Sequence, residues 1–356
     1  GSLWLPLSLW CLKMTCVIGW DIGGAHIKAA RVRNGRLDAI VQRVCTPHLG
    51  IGYLERAIQE ALEELGYADR HHITMTAELS DAFPNRLTGV EIIASLMARL
   101  TSADDVFFYT SKSEFVSFSC VKQYAPLIAS ANWRISGDVI AQKMSSALLI
   151  DMGSTTTDLI PIRDNEVVAQ GKDDASRLAY GELVYVGFSR GAPQAYVQSA
   201  PIRGRWTPLV NEAFATMADV RRILCDLPEG DCHGDLAPSA DGRPKTRAAS
   251  HARLARLAGC DMAEFNENDM WAFASYLARA QQRQIEEQIA LLMSRGVITP
   301  TTPIVGAGIG RSLIRRLAHQ QERTYQDFSN LMPISETLVE LSSDCAPATA
   351  LALLIS

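Results

Sequence analysis

Ile18-Gly-Trp-Asp-Ile-Gly-Gly24 lies without a gap over Leu148-Leu-Ile-Asp-Met-Gly-Ser154 when the chain is shifted by 130 residues, and this self-match decides the fold. The register continues beyond the glycines: Lys28 falls on Asp158, Val32 on Ile162, and the pair Asn34-Gly35 on Asp164-Asn165. Each copy reads as an apolar strand ending in Asp-x-Gly, a tight turn, a second strand, a polar hairpin turn and a third strand. In the first copy the pattern predicts strands over Cys16 to Ile22, His26 to Arg33 and Arg36 to Val44. Asn34-Gly35 suits a type I′ hairpin, whose two central positions both need positive φ. Helical periodicity follows, with Leu54, Ala57, Ile58, Ala61, Leu62 and Leu65 on one face. A duplicated strand-strand-strand-helix unit predicts two α/β domains around a central cleft, with the two Asp-Gly turns opposite one another.

Working outward, 356 residues at ~150 per domain agree with two domains. The first is expected over 14–145 and the second over 146–344, with an inserted loop and helical region at about 190–300 and a C-terminal helix at 345–356 that packs back on the first. Apolar residues make up 47% and charged residues 21%, which excludes a disordered, collagen-like or disulfide-scaffold chain. A net charge of −5 supplies no general basic field for nucleic acid, so an anionic ligand needs a local site. The eight cysteines show neither a C-x-x-C motif nor metal-finger spacing, which points to reduced cytosolic thiols. Leu3 to Leu12 is too short to span a membrane and lacks the basic start of a signal peptide. Residues 1–13 therefore read as an upstream extension or tag ahead of a natural start at Met14, with a cytoplasmic location and a possible homo-oligomer.

Asp21-Ile-Gly-Gly24, Asp151-Met-Gly-Ser-Thr-Thr-Thr-Asp158 and Ile304-Val-Gly-Ala-Gly-Ile-Gly310 resemble, in order, the two phosphate loops and the nucleotide-side glycine turn of the superfamily of sugar kinases, actin and chaperone ATPases. That resemblance covers nearly all of the chain after Met14 and implies two ribonuclease H-like domains. Met75-Thr-Ala-Glu-Leu-Ser-Asp81, Ala131-Asn-Trp133, Gly181-Glu-Leu-Val-Tyr185, Asn211-Glu-Ala-Phe-Ala-Thr-Met217 and Asp241-Gly-Arg-Pro-Lys-Thr-Arg247 narrow it. They resemble the hydantoinase/oxoprolinase-related branch, and within it the enzymes of methanofuran biosynthesis. The resemblance implies a transferase that joins an aminomethyl-furanmethanol diphosphate to the phenol oxygen of γ-glutamyltyramine and releases diphosphate, with magnesium and without ATP. The alternatives are an ATP-dependent kinase or hydantoinase-type enzyme, and a nucleotide-switched reactivating factor or sensor.

For that chemistry the main task is to stabilise the departing diphosphate and place the phenol, since the furan oxygen delocalises the developing cation. Gly23, Gly24 and Gly153 let backbone N–H groups approach phosphate, and Ser154, Thr155, Thr156 and Thr157 add hydroxyl donors. Asp21 and Asp151 either hold magnesium beside the diphosphate or cap their own turns. Asp158 carries the same ambiguity, and Lys28, at the aligned position, is either its opposite-charge counterpart at the leaving group or a solvated strand lysine.

Glu78 and Asp81 follow an apolar strand at about His72 to Ala77, where one of them could accept the phenol proton. His26 is a phosphate donor or a packed strand histidine. Pro228 to Ser250 reads as a long loop whose Arg243, Lys245 and Arg247 are either a lid over anionic substrate or a solvated charge run; Arg190 is a weaker candidate of the same kind. Gly306, Gly308 and Gly310 either contact a ligand or allow close packing of strand and helix. Asp269 to Met293 reads as a core helix, with Phe273, Tyr276, Leu277 and Ala280 on one stripe and Ile285, Ile289 and Leu292 continuing it.

Overall fold

The computed structural model describes residues 16–354; the upstream segment, Met14 and Cys11 lie outside the described residues. The chain divides into two units, one comprising 16–132, Pro333–Val339 and 347–354, the other Trp133–Met332 and Glu340–Ala346.

The first unit follows the predicted meander: β1 (Cys16–Ile22), β2 (His26–Arg33), β3 (Arg36–Val44), then helix α1 (Ile51–Leu65). Asn34 and Gly35 take φ of 51° and 74°, as the type I′ turn requires. There follow β4 (Arg70–Met75), α2 (Arg86–Leu100), β5 (Val106–Tyr109), β6 (Phe115–Ser117) and α3 (Val121–Ile128). The sheet runs β3-β2-β1-β4-β5-β6, with β4 and β5 parallel to β1. Alternation along β1 sends Ile18, Trp20 and Ile22 into a core with Leu54 and Ile58 of α1 and Val90 and Ile93 of α2. On the other face a helix at 346–353 packs so closely that a Cβ on Gly19 would lie 2.2 Å from the carbonyl of Ala348. Only glycine fits there.

The second unit begins with α4 (Asn132–Ala141) and repeats the hairpin as β7 (Ser146–Met152) and β8 (Thr157–Arg163). Asp21 stands opposite Lys28 in β1/β2, and Asp151 stands opposite Asp158 in β7/β8, so the 130-residue repeat holds residue for residue. The third strand differs. The first copy has nine residues in β3, whereas the second has β9 (Glu166–Val167), then α5 (Asp174–Ala179) and β10 (Leu183–Val184), both strands pairing with β8. Its ladder breaks because the N–H groups of Gln170 and Gly171 donate instead to the buried carboxylate of Glu182, each at 2.8 Å.

An inserted region holds the ribbon β11 (Ser199–Ile202) and β12 (Arg205–Pro208) and helices α6 (Met217–Ile223), α7 (Arg247–Leu257) and α8 (Glu267–Ser294) around their own core of Met217, Val220, Leu254, Phe273 and Leu277. The chain then supplies β13 (Ile304–Ala307) beside β7, α9 (Arg311–Gln320), β14 (Tyr325–Asp327), α10 (Val339–Asp344) and α11 (Ala346–Leu353). Ile285, Ile289 and Leu292 of α8 and Ile314 and Leu317 of α9 bury the central strands of this sheet. Two sheets, each built on one copy of the repeated hairpin, agree with the two ribonuclease H-like domains that the motif resemblance implies. None of the described helices is long and apolar enough to cross a membrane.

Candidate functional site

In the first unit, the buried Asp21 ends β1 and the turn that follows is braced by Gly23 N–H donating to the His26 carbonyl at 3.0 Å. A Cβ on Gly23 would come within 2.7 Å of that carbonyl, while one on the exposed Gly24 would meet nothing within 4 Å. The space over Gly24 is where a ligand oxygen can approach backbone N–H. His26 and Lys28 are half-buried on β2 beside this turn.

The second unit repeats the brace: Gly153 N–H donates to the Thr156 carbonyl at 2.9 Å. A further layer fixes it. Phe188 N–H donates to the Gly153 carbonyl at 2.8 Å and Arg190 N–H to the Ser154 carbonyl at 2.9 Å. Gly187 is required for this, because a Cβ there would lie 2.2 Å from the Ser154 carbonyl oxygen. Ser154 and Thr156 remain half-buried and Thr155 exposed, whereas Thr157 is fully buried with its hydroxyl donating to the Val186 carbonyl at 2.5 Å. Thr157 is thus not a phosphate donor. It opens β8, where alternation turns its side chain inward.

Asp158 also departs from the catalytic expectation, because its carboxylate is committed to a guanidinium that the sequence reading missed. Arg177, only 2% exposed, donates to Asp158 at 2.8 Å and to the Glu182 carbonyl at 2.8 Å, with its guanidinium 4.2 Å from the centroid of the Trp133 ring. Burial pushes the Asp158 carboxyl up, and the Arg177 charge opposes that. The signal in the chain is Trp133 of Ala131-Asn-Trp133, an aromatic face for a buried guanidinium.

Of the two carboxylates after β4, Asp81 is exposed and Glu78 is 1% exposed in a 3₁₀ turn, Ala77–Leu79. One Glu78 oxygen accepts from Ser130 N–H at 2.9 Å and from the Ser130 hydroxyl at 3.0 Å; the other has no hydrogen-bond partner among the described residues. Burial pushes this carboxyl up to about 7, against the pull of the Ser130 hydrogen bonds. A buried carboxyl titrating near neutrality is suited to accept a proton.

The remaining candidates are built into the scaffold. A Cβ on Gly306 would strike the Tyr325 hydroxyl at 2.3 Å; on Gly308, whose φ is +80°, it would strike Asp151 Oδ1 at 2.4 Å; and on Gly310 it would strike the Met152 side chain at 2.5 Å. Gly308 N–H donates to the Ser343 carbonyl and Gly310 N–H to that of Met152. These glycines let β13 and α9 close on β7, which is the packing reading.

The expected lid is likewise pinned. Lys245 is buried, with Nζ 2.7 Å from both Asp231 Oδ1 and the Asp235 carbonyl. Arg247 opens α7, donating to Glu267 at 2.9 Å and to the Ile223 carbonyl at 2.6 Å, so Ser250 belongs to a helix. Asp241 accepts from the buried Arg253 at 3.0 Å. Of this set Arg243 is exposed, as is Arg190, whose backbone N–H braces the Ser154 loop.

No group of three or more His, Cys, Asp or Glu suited to a metal occurs among the described residues. Magnesium needs less, since it is held through one or two carboxylates together with substrate phosphates and water. Asp21 and Asp151 each offer one carboxylate at a strand end beside a glycine turn, which fits that mode.

The hydantoinase/oxoprolinase family model matches residues 69–353. A curated protein of Methanocaldococcus jannaschii, (4-{4-[2-(gamma-L-glutamylamino)ethyl]phenoxymethyl}furan-2-yl)methanamine synthase, is 28% identical over 341 residues, which cover 95% of this chain and 97% of that protein. A protein of the same name from Methanococcus vannielii is 32% identical over 124 residues, 35% of this chain and 54% of that one. Among solved structures, nucleotide-free acetone carboxylase superposes with a TM-score of 0.55 at 10% identity, over 96% of this chain and 70% of that chain, a likeness of fold.

Proposed function

Since the chain belongs to the hydantoinase/oxoprolinase family, we propose that it is a transferase of methanofuran biosynthesis, condensing 5-(aminomethyl)-3-furanmethanol diphosphate with the phenol oxygen of γ-glutamyltyramine. The observation that carries this reading is the match along 95% of the chain to a protein named for the product of that condensation. The geometry is in keeping with it. In each unit a braced glycine turn follows a strand-end carboxylate, an arrangement that serves an anionic leaving group.

In this reading the furfuryl C–O bond breaks with both electrons leaving on diphosphate, the phenol oxygen attacks the resulting carbon, and the phenol proton passes to a base. The groups offered to phosphate oxygens are, in the first unit, the backbone N–H groups around Gly23 and Gly24 with His26 and Lys28 as further donors, and, in the second unit, the backbone N–H groups around Gly153 with the hydroxyls of Ser154, Thr155 and Thr156. Glu78 takes the phenol proton, because burial places its carboxyl near 7, whereas Asp81 is exposed. Magnesium, when bound, offsets charge on the diphosphate, with a strand-end carboxylate, Asp21 or Asp151, to hold it. Arg190 remains a candidate for substrate contact. We place the reaction in the cytoplasm, with small molecules as the partners.

The test is diphosphate release from the furan substrate with magnesium and no ATP, with and without γ-glutamyltyramine, the product being weighed by mass spectrometry. Release that depends on the phenol and yields the ether is expected. Absence of ether from folded protein, together with ATP hydrolysis, would overturn the reading in favour of a nucleotide-using enzyme.

A further inference from the structure

Within the second unit a cavity of about 510 Å³ opens between α6, α8 and α9, and its composition is unusual for a gap between packed helices. Three guanidiniums line it, those of Arg221, Arg279 and Arg316, against one carboxylate, Asp226. Asp226 is already saturated: Arg316 donates to both of its oxygens at 3.0 Å and Arg221 to one at 3.2 Å. The lining therefore holds two positive charges beyond its own neutralisation.

Arg221 is 3% exposed, yet its Nε has no hydrogen-bond partner among the described residues; burial lowers its pKa to about 10, which leaves it charged at neutral pH. Arg279 is exposed and forms no ion pair among the described residues. The lining also includes Leu313, Ile314 and Leu317 of α9 and the ring of Trp271, which is 56% exposed. Surplus guanidinium beside apolar and aromatic wall selects a carboxylate carried on an aryl or alkyl body.

The cavity also adjoins the braced loop. Met152, which lines it, sits between Asp151 and Gly153, and Gln281, also in the lining, donates to the Gly187 carbonyl at 2.6 Å, the glycine that packs against Ser154. We propose that this cavity receives the glutamyl carboxylate end of the phenolic acceptor, with Arg279 and Arg316 as the residues that make the enzyme prefer γ-glutamyltyramine to tyramine. The identity of the acceptor rests on the transferase reading; the charge selection rests on the cavity.

Two measurements separate the two ideas. Titration of intact protein with γ-glutamyltyramine or tyramine in the absence of furan diphosphate, followed by calorimetry and by Trp271 fluorescence, should show the glutamylated phenol binding at least about tenfold more tightly. Arg279→Gln and Arg316→Gln should each reduce that preference, and the double variant should abolish it. In turnover, the ratio of kcat/KM for the two acceptors should fall by the same factor. Equal preference in wild type and double variant would overturn the cavity assignment even while ether is formed. No ether from either acceptor, with Arg-dependent binding intact, would overturn the transferase reading and leave the carboxylate site standing. Arg279 is the safer of the two positions, because its side chain is exposed and removing its charge leaves the Asp226 network whole.

Discussion

The two hairpin turns of this protein have the same backbone and different chemistry. Both place an aspartate at a strand end, and both tie the glycine two residues later to the carbonyl three residues beyond it. Across the ladder, however, Asp21 faces Lys28 while Asp151 faces Asp158. Two carboxylates on neighbouring strands repel, and the second unit answers with Arg177, held under Trp133 and paired to Asp158. The duplication thus kept what both turns share, the strand-end aspartate and the braced glycine, and let the cross-strand position diverge.

The comparison can be broken most forcefully at Arg177. Arg177→Met would leave the Asp158 carboxylate without its cation in the interior and should cost about 3–5 kcal/mol in chemical denaturation, against less than about 1 kcal/mol for Lys28→Met on a half-exposed strand. Equal costs would mean that the two cross-strand positions are equivalent after all. Next in size is the shared feature itself: Asp21→Asn and Asp151→Asn should each lower turnover by about 10²–10³-fold, with melting temperature within a few degrees of wild type. A loss confined to one of them would show that function had settled on a single copy.

Glu78 sharpens the contrast because the repeat has no counterpart for it: the aligned residue is Pro208. With a folded pKa of about 7 above a reference of 4.5, Glu78 contributes stability that is complete below the lower value and lost as pH rises through the upper one. The loss amounts to about 3 kcal/mol at one pKa unit per 1.36 kcal/mol. Over the same window the base form accumulates, so turnover should rise as stability falls; Glu78→Gln should flatten both profiles. A wild-type stability that stays level from pH 5 to pH 8 would contradict this. The smallest effects lie at two glycines. Gly308→Ala, with positive φ and no room beside Asp151, should cost about 1–3 kcal/mol, whereas Gly24→Ala should be nearly neutral for stability and slow the reaction only if diphosphate approaches there.

Much of the site's frame is legible in the chain. Strands Cys16–Ile22, His26–Arg33 and Arg36–Val44 end where alternation and turn residues put them, and Asp164 and Asn165 adopt positive φ just as Asn34 and Gly35 do. Local signals suffice because a two-residue hairpin and period-2 burial are set by neighbours in sequence. The β4 strand runs Arg70–Met75, two residues earlier than the hydrophobic run suggested, since Ala77 turns into the 3₁₀ segment that carries Glu78. The core helix was found nearly whole, as Glu267–Ser294, with Tyr276 and Ala280 half-buried at the edge of its stripe.

The cationic run was the opposite case. Arg243, Lys245 and Arg247 look alike in sequence, but their partners Asp231, Glu267 and the Ile223 carbonyl lie 14 to 24 residues away, and two of the three cations are consumed in folding.

By itself, then, the sequence determined the repeated hairpin, its register and the two strand-end aspartates, because each is specified by residues within a few positions of one another. Only the tertiary structure decided which polar groups are spent and which remain available. It commits Thr157 to the Val186 carbonyl, Asp158 to Arg177 and the Gly308 and Gly310 N–H groups to internal carbonyls, and it brings Arg316 onto Asp226 from 90 residues away, where Arg221 already donates. The physical reason is that a buried polar group must find a partner, and the chain that supplies it is selected by packing in space, which no local pattern encodes.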